Sequence, residues 1–232
     1  MMVSPSESTS VMTAEKMAAS GQPLLLPSAK EIYSILLSAY GKPQWWSSDP
    51  FTVIFQSVLV QQTSWKNVLS VTGHIEKLTP EYVLSLSDDE LESLVKSCGF
   101  QKAKSKTIKS LALWFLASDY SSYSDTELRK SLLTIKGVGE ETADAILVYA
   151  FYRPSFIIDA YTRRFMKRLG FCFETDRALR KFFEDNLPRD AFLYGYFHWL
   201  ILEHSINHCR KIPDCTDCIF AINGGCNAFS CR

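Results

Sequence analysis

The sequence lacks a charge excess of either sign, because 25 Lys and Arg side chains balance 25 Asp and Glu side chains among its 232 residues. A polyanionic partner would therefore have to meet a local basic patch rather than the field of the whole molecule. The sequence also lacks an apolar run long enough to cross a membrane, and its N-terminal part lacks a secretory signal pattern. We expect an intracellular, cytoplasmic protein without a membrane partner, in which residues 1–27, rich in Ser and Met, are disordered.

Cysteines are sparse over most of the chain and crowded at its end. Five of the seven lie in the last 24 positions, namely Cys209, Cys215, Cys218, Cys226 and Cys231. In a chain without an export signal, such a cluster indicates a metal site rather than a disulfide framework. Four thiolates in so short a span could hold a [4Fe–4S] cluster or a zinc ion, and zinc is the default by chemistry alone.

Alternating strand patterns and internal repeats are also missing, whereas apolar residues recur with helical periodicity along most of the chain. The pattern predicts helices at 29–40, 51–62, 64–77, 88–97, 103–117, 125–133, 140–152, 160–169, 175–185 and 190–205. The connectors carry helix breakers, as in "GKPQ", "LTPEY", "SCGFQK", "YRPS" and "LPRD". The sequence therefore predicts an all-α protein of two lobes.

The segment "LLTIKGVGEETADAIL" (132–147) joins two apolar helical stretches through a Gly-Val-Gly turn. Gly137 and Gly139 can adopt backbone angles that other residues avoid, and the helix that follows begins with unpaired N–H groups. Exposed amides from Lys136 through Val138 to Gly139 could bind a phosphate oxygen of nucleic acid without reading its bases. The alternative is an ordinary helix–loop–helix turn.

Residues 132–169 resemble the helix-hairpin-helix and following loop of the endonuclease III superfamily of DNA glycosylases. The similarity extends from "FTVIFQSVLVQQTSWKNV" (51–68) to the terminal cysteines. It implies a two-lobed helix-hairpin-helix glycosylase fold with a C-terminal iron–sulfur loop. Residues 28–50 and 153–232 would form the cluster-containing lobe, and residues 51–152 a six-helix lobe with the hairpin at about 126–151. It further implies base-excision DNA repair by a monomer that binds double-stranded DNA containing a damaged base, associated with the nucleoid if the protein is bacterial.

An aspartate follows the hairpin in this superfamily, and Asp159 in "SFIIDAYTRRF" matches it. Its position alone predicts an N-cap for the helix that begins at Ala160, which is compatible with a catalytic role. A carboxylate there could stabilise the oxocarbenium-like sugar and orient or deprotonate the attacking water.

Glu141 occupies the position where bifunctional members of the superfamily carry a nucleophilic lysine, and a carboxylate cannot form an imine. The motif "GVGEETADAIL" followed by "DAY" is most similar to bacterial 3-methyladenine DNA glycosylase III, which carries glutamate there. The resemblance implies a monofunctional glycosylase for alkylated purines such as 3-methyladenine, with Glu141 assisting Asp159. Favourable charge in the first helical turn is the structural alternative for Glu141. A glycosylase for a mismatched or oxidised base, a non-catalytic DNA-structure-binding protein and a lyase using Lys136 stay open.

Tryptophans lie on both sides of the first core helix, in "QWWSSDPF" and "QQTSWKNV". By resemblance, Trp46 and Trp65 would sandwich the flipped base, with Trp45 as the adjacent substitute. Electron-rich rings favour a cationic alkylated purine over normal bases. Tryptophans at helical spacing are equally typical of a core.

Two loops carry candidates for filling the gap that a flipped base leaves in the duplex. In the superfamily a glutamine from the loop resembling "VQQT" does so, which matches Gln61, with Gln62 as its neighbour. Phe100 in "CGFQKAK" would be a second wedge, unless it only anchors its loop, and the lysines after it would then lie beside phosphates.

The same resemblance favours [4Fe–4S] over zinc, because many endonuclease III relatives end in such a cysteine loop, usually with gaps of six, two and five residues. Here the gaps in Cys209, Cys215, Cys218 and Cys226 are five, two and seven. Cys226 is the expected fourth ligand and Cys231 the spare. The 3-methyladenine glycosylase III branch often lacks this loop, so the chain combines features of two subfamilies.

Overall fold

The computed structural model describes residues 26–222 and Cys226, and within these residues it is helical without any strand. The helices are α1 Ala29–Tyr40, α2 Pro50–Leu59, α3 Trp65–Thr72, α4 Pro80–Ser85, α5 Asp88–Val95, α6 Gln101–Ala117, α7 Asp125–Leu133, α8 Glu140–Phe151, α9 Ala160–Leu169, α10 Asp176–Asn186, α11 Ala191–Asn207 and α12 Ile219–Ile222. The expected all-α class is confirmed. The expectation of disorder for 1–27 falls almost wholly outside the described residues, and Cys231 lies outside them too.

Most predicted helices occur. The short helix α12 was not predicted, the helix predicted at 51–62 ends at Leu59, and two further differences have local causes. The helix predicted at 64–77 ends at Thr72 and is capped by Gly73. Helix α4 was missed, because its proline was interpreted as a breaker within a connector. Pro80 is the first residue of α4, directly after the N-cap Thr79, whose hydroxyl accepts from the Tyr82 N–H. Proline is well tolerated there, since the first helical amides lack intrahelical acceptors.

The described residues divide into two compact units. One comprises the described parts of Met1–Pro43, Ile158–Pro188 and Phe197–Arg232, and the other comprises Gln44–Ile157 and Arg189–Tyr196. We call them the Asp159 unit and the hairpin unit. None of the helices described in either unit has the length and hydrophobicity needed to cross a membrane.

The hairpin unit is built around α2, whose residues from Phe51 to Leu59 are almost all buried. Helix α2 packs against α3, α6 and α8, and α6 also packs against α4 and α5. Helix α8 is buried over most of its length after its first two residues. The core of this unit therefore fixes the start of α8, where the Gly-Val-Gly turn lies.

The Asp159 unit packs α1 against α10. The Phe197 ring of α11 lies 5.2 Å from that of Tyr33 in α1 and 5.3 Å from that of Phe183 in α10. Phe165 of α9 contacts Phe220 of α12 at 5.2 Å. Phe165 also contacts His204 of α11 at 5.4 Å, so α9, and therefore the residue that caps it, packs against both α11 and α12.

Candidate functional site

The glycine turn joins α7 to α8 in a helix-hairpin-helix, as predicted. Gly137 has a φ of +94°, a conformation that side chains other than glycine rarely adopt. A Cβ at this position would also overlap the Thr107 side chain of α6. The Thr107 hydroxyl lies 3.0 Å from the Lys136 carbonyl oxygen and donates to it. The turn is thus glycine-dependent and braced from a neighbouring helix.

Val138 differs from the rest of the turn. Its side chain is buried, and its N–H donates to the Ile135 carbonyl at 3.0 Å. That amide is therefore committed within the turn. Of the residues predicted to bind a phosphate here, Lys136, Gly137 and Gly139 are exposed, as are the first residues of α8.

Gln61 is tied to the hairpin. Its side-chain amide donates to the Gly137 carbonyl at 3.1 Å and to the Thr142 hydroxyl at 2.9 Å. Gln62, by contrast, is exposed and has a φ of +54°. The sequence predicted the same role for these two neighbouring glutamines, but the structure places them in very different surroundings.

Phe100 precedes α6 in a left-handed conformation, with a φ of +50°, and is 64% exposed. Not all of the following lysines are available to phosphates. Lys104 is buried, and Lys109 pairs with Asp88 at 2.6 Å. The interpretation of the whole run as a phosphate-binding face was therefore wrong for Lys104, whose side chain turns into the core.

Trp46 and Trp65 contact each other edge to face, with ring centroids 5.3 Å apart and planes at 79°. Trp46 also donates from Nε1 to the Gln56 side-chain oxygen at 2.6 Å, and Gln56 is buried. A base between two parallel rings needs about 7 Å, two optimal carbon–carbon separations. The rings form a closed pair, so sandwiching a base requires one of them to move.

Trp45 packs against other aromatic rings of the hairpin unit, those of Tyr152, Phe192 and Tyr196. It stacks on Tyr152 with planes at 18° and centroids 5.8 Å apart, and it contacts Phe192 at 4.8 Å. A Cβ at Gly195 would lie 2.7 Å from the Trp45 ring, so glycine permits this close approach. Trp45 and Trp46 both contact the Tyr149 ring, at 5.1 Å and 5.2 Å, so this ring links Trp45 to the pair formed by Trp46 and Trp65.

Asp159 caps α9 as the sequence predicts, and its carboxylate is almost fully buried. Its Oδ1 accepts from the Thr162 N–H at 2.6 Å, and its Oδ2 lies 3.5 Å from Nε2 of His198 in α11. Burial alone would raise the pKa of Asp159, but the His198 imidazole and the Thr162 amide more than offset burial and lower the pKa to about 2. At neutral pH Asp159 is thus a fixed negative charge.

Glu141 is exposed in the first turn of α8, directly after Glu140. The Glu140 carboxylate pairs with Arg129 at 3.1 Å. A negative charge at a helix N-terminus is favourable, so both glutamates satisfy a structural role. Glu141 also occupies the predicted catalytic position, at the exposed end of a helix whose remaining length is buried.

Four cysteines line one small cavity in the Asp159 unit. These are Cys209, Cys215, Cys218 and Cys226, and the cavity wall also includes Phe165, Leu169 and Phe220. Arg168 donates to the Cys209 sulfur at 3.3 Å, the type of hydrogen bond that tunes cluster thiolates. The donor set fits an iron–sulfur cluster. In the described part of the chain, however, no three metal-ligating side chains lie close enough together to hold an ion as they stand.

The arginines of α9 anchor this cysteine segment. Arg164 donates to the Cys209 carbonyl at 2.6 Å, and Arg168 donates to the Arg210 carbonyl at 2.7 Å. His204 lies beside Cys218, with Nε2 3.7 Å from its sulfur, and its Nδ1 is 2.9 Å from the Tyr40 hydroxyl. Two of the four basic residues between 163 and 168 therefore serve the cysteine segment.

Residues 55–189 match the model of the HhH-GPD superfamily of base excision DNA repair proteins. The chain belongs to this superfamily. The matched region contains the hairpin, the loops of Gln61 and Phe100, and Asp159. The expected resemblance to helix-hairpin-helix DNA glycosylases is confirmed, and the protein is a base-excision DNA repair glycosylase of the HhH-GPD family.

Individual HhH-GPD relatives agree with this assignment. The "Putative DNA repair glycosylase MJ1434" of Methanocaldococcus jannaschii is 38% identical over 81% of this chain and 91% of its own length. The structure of H. pylori 3-methyladenine DNA glycosylase (MagIII) bound to 1,N6-ethenoadenine is 27% identical, with a TM-score of 0.67 over 78% of this chain and 98% of that one. A trapped endonuclease III–DNA covalent intermediate has a TM-score of 0.73 at 23% identity, covering 86% and 94% of the two chains, and so shares the fold.

Three side chains near the candidate site of this HhH-GPD protein were not expected from the sequence. Thr107 braces the turn, Lys104 binds loop carbonyls and His198 faces Asp159. Each acts on a residue far away in the sequence, so local patterns do not reveal it. The only available signal for His198 was an isolated polar residue within the apolar run "GYFHWLI".

Proposed function

We propose that the protein is a monofunctional DNA N-glycosylase that hydrolyses the bond between deoxyribose and an alkylated purine such as 3-methyladenine. The observation that carries the proposal is Glu141, an exposed carboxylate in the first turn of α8 at the position of the nucleophilic lysine of bifunctional members. A carboxylate cannot form the imine through which a lyase acts. The similarity to a glycosylase named for 3-methyladenine supports this substrate class.

Asp159 would act mainly through its charge. With a pKa of about 2 it is ionised at neutral pH and a weak proton acceptor, since an effective general base has a pKa near the working pH. As the bond from C1′ to the purine nitrogen breaks, the base leaves with the electron pair, and the sugar becomes cationic. A fixed carboxylate stabilises that cation electrostatically.

Water then forms the new bond to C1′ and loses a proton. The proposed role of Glu141 is to orient this water and accept that proton, and the proposed role of Asp159 is to stabilise the sugar cation. A cationic alkylated purine departs as a neutral base, so no acid is needed for the leaving group. A mechanism that needs no general acid for the leaving group fits candidate catalytic groups that are two carboxylates.

The substrate pocket is proposed to be formed by Trp46 and Trp65 after one ring moves, or by Trp45 with its neighbouring rings. Gly137, Gly139 and Lys136 would hold a phosphate of the duplex. The protein would act as a monomer on double-stranded DNA.

We also propose that Cys209, Cys215, Cys218 and Cys226 hold a [4Fe–4S] cluster in the lobe that contains Asp159. Such a cluster would supply iron–thiolate bonds that fix the C-terminal segment. Arg164 and Arg168 already secure the backbone around Cys209. The role is structural, and the reaction does not pass through the metal.

The proposal is tested by incubating the protein with duplexes that contain 3-methyladenine, a mismatch or an oxidised base. Released base is measured by mass spectrometry, and strand breaks are measured before and after hot alkali. Release of the alkylated base, with breaks only after alkali, supports the proposal. Covalent trapping with borohydride would contradict a monofunctional mechanism, release from only the other duplexes would contradict the substrate, and binding without release would favour a non-catalytic role.

A further inference from the structure

Lys104 of α6 is a buried lysine that the proposed chemistry does not use, and it is only 3% exposed. Its ammonium donates to the carbonyl oxygens of Leu59 at 2.9 Å, Gln61 at 2.8 Å and Cys98 at 2.7 Å. A lysine ammonium has three N–H donors and no acceptor. All three donors are therefore matched by backbone carbonyls.

These carbonyls belong to two different loops. Leu59 and Gln61 lie at the end of α2, and Cys98 ends the 3-10 turn Lys96–Cys98 before Phe100. Because the Gln61 and Cys98 oxygens lie 2.8 Å and 2.7 Å from one nitrogen, they are at most about 5.5 Å apart. Lys104 thus joins the two loops that carry the candidate wedges.

Both wedge residues have strained backbones. Gln62 and Phe100, with Tyr152, are the non-glycine residues with positive φ in the described part of the chain. Such conformations persist when the surroundings over-determine them, and they cluster at functional sites. The Gln61 carbonyl is part of the peptide bond between Gln61 and Gln62. The Cys98 carbonyl is part of the peptide bond between Cys98 and Gly99, and Gly99 is the residue directly before Phe100. Lys104 therefore holds the backbone on the approach to each strained residue.

The two neighbouring glutamines are not equivalent as wedges. To enter a duplex, Gln61 would have to break its hydrogen bonds to the Gly137 carbonyl and the Thr142 hydroxyl. That would also release a brace of the hairpin turn. Gln62 is exposed and carries the same side chain.

We propose that Lys104 is a positioning residue that fixes Gln62 and Phe100 as a two-pronged wedge, and that Gln62 rather than Gln61 fills the space left by the flipped nucleotide. The inference rests on the proposed glycosylase function, which requires the damaged nucleotide to leave the duplex, but it concerns a step before bond cleavage. Lys104 does not touch DNA in this proposal, because it is enclosed by carbonyls.

The test measures nucleotide extrusion directly, with 2-aminopurine fluorescence in a duplex that carries the probe beside an abasic-site analogue. Lys104→Met is compared with Lys106→Met, an exposed lysine on the same helix. Lys104→Met is expected to lower the extrusion equilibrium about tenfold, since the loops lose three hydrogen bonds. Its affinity for undamaged duplex and the salt dependence of that affinity should not change.

Lys106→Met should behave in the opposite way. If Lys106 lies beside a phosphate, its removal lowers the slope of log affinity against log salt by about one, with extrusion per bound complex unchanged. If Lys104→Met lowers the salt slope while extrusion stays at the wild-type level, the proposal is overturned.

A second pair of variants decides the matter even if Lys104→Met fails to fold. Gln62→Ala should lower extrusion about tenfold at an unchanged melting temperature, whereas Gln61→Ala should lower the melting temperature. Loss of extrusion in Gln61→Ala alone would overturn the proposal. Where Lys104→Met folds, it should have little further effect in a Gln62→Ala/Phe100→Ala background, and a fully additive effect would show that it acts elsewhere.

Failure of this inference and failure of the proposed function give different results. A protein that extrudes the probe but releases no base would refute the glycosylase activity and leave the wedge intact. Normal release of base by both Lys104→Met and Gln62→Ala would refute the wedge and leave the glycosylase activity intact.

Discussion

Replacing Asp159 by asparagine separates the two roles of this residue, because asparagine keeps the cap and removes the charge. The Oδ1 of an asparagine can still accept from the Thr162 N–H, which now lies 2.6 Å from the carboxylate. The interaction with His198 across 3.5 Å loses its negative partner. A pKa lowered from 3.8 to about 2 corresponds to about 2 kcal/mol of stabilisation of the buried carboxylate by its surroundings.

The pH dependence of this stabilisation has a definite sign. The folded-state pKa of Asp159 lies below its ordinary value, so the contribution is fully present above about pH 4 and is lost as the pH falls towards 2. We expect the free energy of unfolding of Asp159→Asn to be about 2 kcal/mol below wild type at pH 7, and the gap to narrow to about half near pH 3. Urea unfolding at several pH values measures it.

The same variant should lose base release by a factor of about 10² to 10⁴ while it binds DNA within about twofold of wild type. Asp176→Asn is the matched control, since it removes a carboxylate of the same unit that is 48% exposed and paired with Arg163. It should leave base release unchanged and alter stability by less than about 1 kcal/mol. A wild-type rate of base release in Asp159→Asn would refute the catalytic assignment, and an equal stability loss in Asp176→Asn would refute the role of the buried pair.

Two further predictions concern the hairpin and the cysteines. Gly137 has a φ of +94°, and an added Cβ would overlap the Thr107 side chain. Gly137→Ala should therefore lower the free energy of unfolding by about 1–3 kcal/mol and weaken duplex binding. Gly139 has open space around an added Cβ and an ordinary φ of −91°, so Gly139→Ala should lower the melting temperature much less in calorimetry. Equal losses of stability in the two variants would contradict the role of the Gly137 conformation. The purified protein should contain about four irons per chain with the visible absorption of an iron–sulfur cluster, which Cys209→Ser should reduce. One zinc and no iron would contradict this prediction.

The parts of the site that the sequence predicted are those with local signals. Glycines between apolar helical stretches predict the turn around Gly137. The position of Asp159 directly before a helical pattern predicts that it is an N-cap. Both features depend on backbone conformation within a few residues, so reading neighbours in the chain is sufficient. Helix α4 was missed because the same proline signal serves for both a connector and a first helical turn.

The features that the sequence did not predict depend on contacts between distant segments. Lys104 looks like one member of a basic run, yet its acceptors include Leu59 and Gln61, which lie 45 and 43 positions earlier. Gln61 looks like a free wedge, yet its acceptors lie 76 and 81 positions later. Helical periodicity predicts the face on which a residue lies, but it does not predict which backbone carbonyls from other segments contact that face.

Polar contacts centred on one buried carboxylate join the two helices of the hairpin. Arg129 of α7 donates from Nε to Asp144 of α8 at 2.7 Å, and Asp144 is fully buried. Ser155 donates to the same Asp144 oxygen at 2.7 Å. Apolar side chains could fill this space at lower desolvation cost, but they would not set the two helices in one register. We infer that the ion pair contributes geometry more than stability.

This interpretation gives different expectations for removing one partner and removing both. Arg129→Met removes a guanidinium that pairs with the buried Asp144 carboxylate and should cost about 3–5 kcal/mol. Arg129→Met/Asp144→Leu should recover much of that loss, since the buried carboxylate is removed together with its partner and the other partner of Arg129, Glu140, is exposed. If geometry is what the pair provides, duplex affinity should stay low in the double variant even where its melting temperature approaches that of wild type. Full recovery of both properties would show that α7 and α8 find the same arrangement without the ion pair.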